Sequence, residues 1–490
     1  MAGIGFELRK LTRLDTLSSV AAAAGHAAII AAGPWLFTIF SLATITMLTQ
    51  PIIGLGALST FRAVIIYAFA ISLVCTAPVT MVATRLVADA LWSRRPEEVR
   101  GLMLGACLWA LAAVAVGLAL VVAGMQIAAP LAVTLVFTTA SVALIWVTLS
   151  FCGAVRDYKG VTLSFLAGLL VALGAAVGMA IAGFEAVGMA CGFLVGLQVI
   201  FVGLAHRVLA TFPHPCTDAL AGARAIYRGF RHYRHLALGA LAGTLGVWID
   251  KWLFWGSAEG DTVVGGFLHS PLYDSAMFIA SLAIIPSLAA FVVRLETEFF
   301  DRYQHYYATI KSHGTLRQIE AARARLAAST LDGLTLVTVA QAGVCAVLVL
   351  AAPSIIELLG LQFRQVSILR YGALGVIFQF VFIACSSMLL FFDRRPLYLA
   401  LQVLFLVLVA ALTLVSLRLG EDYYGVGYFA ACAIAGFVAY RIADSTFDRL
   451  NFLTFLGNNP SIEPSTKSRR PSFLARWLAG RRRAQASSTS

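Results

Sequence analysis

Gly101-Leu102-Met103-Leu104-Gly105-Ala106-Cys107-Leu108-Trp109-Ala110-Leu111-Ala112-Ala113-Val114-Ala115-Val116-Gly117-Leu118-Ala119-Leu120-Val121-Val122-Ala123-Gly124 carries no charged side chain. Hydrocarbon offers no partner to a peptide group, so a run this long and apolar reads as a helix that closes its own hydrogen bonds and spans a bilayer. Outward from it the pattern recurs about twelve times, at 19–48, 61–84, 101–124, 131–155, 161–183, 186–205, 236–256, 272–293, 334–356, 366–392, 397–417 and 424–444. The chain is therefore expected to be an all-α integral membrane protein with about twelve transmembrane helices.

Lys and Arg fall in alternate gaps between these spans. With the N-terminus inside, 31 of the 36 basic residues lie on the cytoplasmic side or at cytoplasmic span ends, leaving Arg62, Lys251, Arg364, Arg370 and Arg418. Both termini are thus expected in the cytoplasm. A composition of 60% hydrophobic and 12% charged residues, with mean hydropathy +0.87, excludes a water-soluble surface. The net charge of +12 is spread over inner loops and a tail, which reflects topology and argues against nucleic-acid binding. No cleaved signal peptide is expected, because the first apolar stretch is too long and follows Glu7 and Asp15. Seven of the eight cysteines lie inside spans without a paired spacing and read as small core residues, and Cys216 is expected as a reduced thiol in a cytoplasmic loop.

The basic segment 206–235 separates six spans from six. Span 2 ends in Pro78 followed by Arg85, and span 8 in Pro286 followed by Arg294. These recurrences suggest two six-helix lobes, 1–205 and 236–456, related by a pseudo-twofold along the membrane normal, with a substrate path between them. The expected divisions are these lobes, a cytoplasmic inter-lobe linker at 206–235, a cytoplasmic insertion at 295–333, and a basic tail at 457–490.

The insertion reads as one or two amphipathic helices. Its aromatic residues Phe299, Phe300, Tyr303 and Tyr306 suit either a docking surface for a cytosolic partner or a face inserted into the membrane interface. The tail combines seven cations with Phe473, Leu474, Trp477 and Leu478 on one helical face, which suits anionic lipid.

Charged groups near mid-bilayer cost at least about 2.5–3.5 kcal/mol each on insertion scales, so they face a wet cavity or a partner. Span 7 contains Trp248-Ile249-Asp250-Lys251-Trp252-Leu253-Phe254-Trp255. On a helix Trp248, Lys251, Trp252 and Trp255 share a face and Asp250 lies off it, so the two charges are expected to point apart and find partners elsewhere. Lys251 and the indoles either line a sugar path, where rings stack and an ammonium bonds oxygens, or form an outer aromatic belt with Lys251 snorkelling. Pro34 and Trp35 interrupt span 1 at nearly the depth of Asp250, as transporter sites do. Candidate path residues are therefore Pro34, Trp35, Trp248, Asp250, Lys251, Trp252, Trp255 and Asp274.

Arg62 and Arg370 begin spans 2 and 10. They suit an outward gate paired with Asp250, Asp274 or Glu357, or else snorkel to headgroups. Arg85 with Asp89, and Arg294 with Glu298, are four apart at the inner ends of spans 2 and 8 and suit a twofold set of gate latches, or solvated pairs of small energy. The chain shows no P-loop, no clustered metal-ligand spacing and no acidic catalytic loop, so no catalytic residue, metal or cofactor is assigned.

Met1-Ala2-Gly3-Ile4-Gly5-Phe6-Glu7-Leu8-Arg9-Lys10-Leu11, Gly33-Pro34-Trp35, Trp248-Ile249-Asp250-Lys251-Trp252, Tyr273-Asp274 and Arg294-Leu295-Glu296-Thr297-Glu298-Phe299 together resemble the PelG family over nearly the whole chain except the tail. The resemblance implies a flippase-like fold of two lobes around a cavity, in the bacterial inner membrane. It implies export of Pel exopolysaccharide, an amino-sugar polymer of biofilms. It also implies work with a cytosolic glycosyltransferase and further membrane subunits of a synthase complex, one binding cyclic di-GMP. The leading expectation is a polysaccharide transporter. The alternatives are a cation-coupled small-molecule antiporter of the same superfamily, with Asp250 or Asp274 as the ion site, and a noncatalytic membrane scaffold for the synthase.

Overall fold

The computed structural model describes residues 38–125, 127–155, 157–215, 219–263 and 266–457. The short apolar helix α1 (Thr38–Thr49) is the described part of the first expected span. It leads into α2 (Leu55–Trp92), α3 (Glu98–Val122), α4 (Ala129–Val155), α5 (Tyr158–Ile181) and α6 (Ala186–Thr211). An amphipathic helix, α7 (Ala219–His232), precedes α8 (Arg234–Trp255) and a small antiparallel hairpin, β1 (Asp261–Thr262) with β2 (Leu268–His269). The chain continues through α9 (Pro271–Leu282), α10 (Ile285–Arg294), α11 (Phe300–Lys311), α12 (Leu316–Leu358), α13 (Gln365–Phe391), α14 (Arg395–Leu419) and α15 (Val426–Asp448). Among the described residues eleven helical segments are long and apolar enough to cross a membrane, α9 and α10 together counting as one.

Local chemistry sets the helix ends. Asp157 caps α5 by accepting from the Gly160 N–H at 3.0 Å, and Arg207 of α6 lies 2.9 Å from the same carboxylate. Thr315 and Gln318 form a reciprocal capping box that starts α12. Gly420 and Gly425, both at positive φ, turn the chain from α14 into α15. Close packing uses small residues: a Cβ on Gly192 would lie 2.7 Å from the backbone of Ala175, so α5 and α6 meet backbone to backbone.

Segment 295–333 divides unequally. A π-turn, Leu295–Phe299, carries α10 into α11, while the alanine-rich part from Leu316 is the first half of α12, a single helix of 43 residues. The expected separate helix and following span are thus one rod. Span 8, by contrast, is broken between α9 and α10, with Pro286 in the first turn of α10. Pro78 lies inside an uninterrupted α2.

Buried apolar side chains fall into two large clusters. One runs from Ile45 to Ile226, and the other from Phe254 to Leu450. Trp255, Val263 and Phe267 belong to the first although they follow Phe254, which belongs to the second. Consecutive helical residues point about 100° apart, so α8 gives one side to each core. A smaller cluster of Val82, Tyr233, Leu236, Ala237 and Tyr398 joins the halves at the other end of α8.

Candidate functional site

The seam along α8 holds most of the expected path residues. Asp250 is fully buried. Lys251 Nζ lies 3.1 Å from each oxygen of the Asp250 carboxylate and donates to the Val247 carbonyl at 3.1 Å. The Tyr273 hydroxyl, from α9, donates to Asp250 Oδ2 at 2.9 Å. The expectation that Asp250 and Lys251 point apart is therefore corrected. Their Cβ directions do diverge, but the four-carbon lysine stem folds back along the helix, and a carboxylate removed from water is very costly without a counter-charge.

One residue pair further along, the pattern repeats with different chemistry. Trp255 Nε1 donates to Asp274 Oδ2 at 2.7 Å, and the Ser270 N–H donates to the same oxygen at 3.1 Å. Asp274 Oδ1 is buried without a hydrogen-bond partner among the described residues. Between the two carboxylates Phe254 stacks on Tyr273 at 3.8 Å and 10°. Adjacent residues of α8 and α9 thus alternate polar and aromatic contacts.

The indole face closes against the first half. Tyr67 of α2 stacks on Trp255 at 4.9 Å, and its hydroxyl donates to the Leu268 carbonyl at 2.8 Å while accepting from the Leu268 N–H at 3.2 Å. Trp248 and Trp252 pack half-buried against the same core. Pro34 and Trp35 lie outside the described residues, as does the basic tail.

The expected outward gate does not form. Arg62 and Arg370 are exposed, with Arg370 Nε on the Val349 carbonyl at 3.2 Å, and among the described residues neither makes an ion pair with Asp250, Asp274 or Glu357. The Arg85–Asp89 latch is replaced as well: Arg85 Nη2 donates to the Leu390 carbonyl at 3.2 Å, and Asp89 accepts from the Tyr233 hydroxyl. Tyr233 also lies beneath Arg395, whose guanidinium carbon is 4.8 Å from the ring centroid. Burial, then the bond to Asp89, pushes the Tyr233 phenol up to about 12. Tyr233 was not singled out from sequence, since a tyrosine at a span end ordinarily reads as an interface anchor. Arg294 and Glu298 do pair, at 3.7 Å across the π-turn, and Glu298 also accepts from Ser329 at 2.7 Å.

The aromatic residues of the insertion largely turn inward. Phe299 and Tyr306 are buried, while Phe300 and Tyr303 are half-buried. Phe299 packs 5.1 Å from Phe391, the Tyr303 hydroxyl approaches the Phe391 carbonyl at 3.4 Å, and the Tyr306 hydroxyl donates to Asn451 at 2.9 Å. An exposed docking face at Phe299 and Tyr306 is thereby corrected, because folding this segment onto α12 and the end of α13 removes more apolar surface than leaving it in water.

Two buried cores meeting along α2 and α8, with buried charge at the seam, define a polytopic membrane protein whose fold recurs among solved transporters. A MOP superfamily transporter from Pyrococcus furiosus aligns with TM-score 0.59 and 15% identity, over 87% of this chain and 96% of that one. An inward-facing multidrug resistance MATE family transporter aligns at 0.57 and 15%, covering 87% and 99%, and an outward-facing one at 0.53 and 16%, covering 87% and 96%. At such identities the likeness is one of fold. The chain belongs to the PelG family, described as "Putative exopolysaccharide Exporter (EPS-E)", whose model matches residues 1–455. No curated protein matches.

Proposed function

We propose that this transporter moves an amino-sugar exopolysaccharide of the Pel type from the cytoplasm to the periplasm, between the two halves, in concert with a cytosolic glycosyltransferase and the other membrane subunits of a synthase. Within an exopolysaccharide exporter family, the observation that carries the reading is the α8 seam. Its charge is balanced internally by Lys251 and Tyr273, and its indoles lie where the halves part. A hydrogen-bonding wall with aromatic faces suits sugar rings that must slide without sticking.

The multi-pass protein is placed in the inner membrane with both termini cytoplasmic. Arg94, Arg95, Arg207 and Arg294 crowd the end opposite the hairpin, in keeping with this orientation. A second reading, a cation-coupled small-molecule antiporter, draws on Asp274 Oδ1, a buried acceptor without a partner among the described residues.

Locating newly made polymer in cells that lack the protein but keep an active synthase tests the proposal. Polymer trapped in the cytoplasm is expected. Absence of any polymer would instead favour a scaffold that the synthase needs for assembly, and efflux of lipophilic cations by reconstituted vesicles, lost in Asp274→Asn, would favour the antiporter.

A further inference from the structure

α7 has two unlike faces. Gly222, Ile226 and Gly229 are buried, whereas Leu220, Ala221, Arg224, Tyr227, Arg228 and Arg231 are exposed along one side. The helix contains no acidic residue. Its position is fixed tightly: Trp109 Nε1 donates to the Ala223 carbonyl at 3.0 Å, the Trp109 and Tyr227 rings stack at 6.0 Å, and a Cβ on Gly222 would collide with the Gly101 carbonyl.

These contacts also fix depth. Gly101 lies in the first turn of α3 and Gly105, which also meets Gly222, in the second, while Trp109, in the fourth, has a side chain that leans back toward the helix start; α3 is a membrane-length span whose neighbouring Leu104 and Leu108 are 38% and 49% exposed. α7 therefore lies beside the entry of a span, at the level where hydrocarbon gives way to headgroups. Its exposed side joins apolar surface, with Leu220 61% and Tyr227 52% exposed, to three arginines, and Ala221, Arg224, Tyr227 and Arg228 surround an open hollow.

We propose that this face binds the phosphate of an anionic membrane lipid. Planar guanidinium forks match phosphate oxygens, while the adjoining leucines offer a surface for the acyl chains. An acidic protein would also offer oxygens to the arginines but would have to meet them at a depth occupied by lipid. The site is separate from the seam and does not depend on what is transported.

Native mass spectrometry of the full chain, with phosphatidylglycerol and phosphatidylcholine of identical acyl chains as probes, tests it. The wild type is expected to retain phosphatidylglycerol preferentially. Arg224→Gln/Arg228→Gln/Arg231→Gln should weaken that retention on the order of tenfold or more, given the usual contribution of each basic residue near a charged surface. The equal charge change Arg302→Gln/Arg317→Gln/Arg325→Gln should leave it intact. Equal retention by the wild type and the α7 variant overturns the proposal, as does equal loss in both variants. Unchanged lipid retention with lost polymer secretion would overturn it in favour of a protein partner. Should the triple variant fail to fold, Arg228→Gln alone carries the same two outcomes for phosphatidylglycerol: weakened retention supports the site and unchanged retention overturns it.

Discussion

A carboxylate wholly removed from water, as Asp250 is, needs partners to replace its lost hydration, and here Lys251 and Tyr273 supply them together. Removing either charge leaves the other buried and unpaired, which costs about 3–5 kcal/mol. Asp250→Asn and Lys251→Met are each expected to lower the melting temperature of the detergent-solubilised protein markedly, and the double variant to recover much of the loss. Additive losses in the double variant would show that the two groups are not energetically paired. Phe299→Ala should cost about 3–5 kcal/mol as a core truncation. That charge sits at 250 and 251 is plain in the sequence. That the two close on each other is not, because helical periodicity gives the direction of Cβ and says nothing of where a long flexible stem ends.

Between helices, the break separating α9 from α10 is held by a third. Gln341, buried in α12, donates to the Ala283 carbonyl at 3.0 Å and accepts from the Ser287 hydroxyl. Gln341→Leu leaves both groups without that partner, so a loss of about 1–3 kcal/mol is expected in thermal unfolding, with faster hydrogen exchange confined to the neighbouring turn of α10. Hydropathy revealed the spans well, since burial in hydrocarbon demands uninterrupted apolar sequence. It could not reveal the continuity of α12. Asp332 and Gly333 resemble a helix end, yet glycine inside a helix costs only about 1 kcal/mol. Arg294 Nη1, only 3.2 Å from where a Cβ would stand on Gly333, occupies the space.

At the scale of the molecule, contacts between the halves occur at both ends of α2: Tyr67 with Trp255 and Leu268 at the hairpin, and Arg85 and Asp89 with Leu390 and Tyr233 at the other. If transport requires the hairpin end to part, Tyr67→Cys and Leu268→Cys bridged by a short bis-maleimide should stop polymer secretion while the unbridged pair secretes. Secretion at the wild-type rate after bridging would contradict that motion. The same end should respond to acid. Burial holds the His269 imidazole below its ordinary value, with Asp261 opposing and Arg62 reinforcing. The folded hairpin therefore favours the neutral ring, so its contribution is complete above about pH 6.5 and declines as the pH falls through the lowered value. Amide protection at 266–269, taken relative to the base-catalysed intrinsic exchange rate, should fall on acidification, and His269→Gln should flatten that dependence.

Because Phe254 serves one core and its neighbour Trp255 the other, the last turn of α8 is keyed by rotation as well as by depth. A single residue inserted between Asp250 and Phe254 would turn everything after it by about 100°, presenting each aromatic ring to the wrong half. Apolar substitutions at Trp252 or Leu253 can be absorbed by repacking, but insertions and deletions cannot. In any lineage descended from this chain, the spacing from Asp250 to Trp255 should outlast the identity of Trp252 and Leu253 within it.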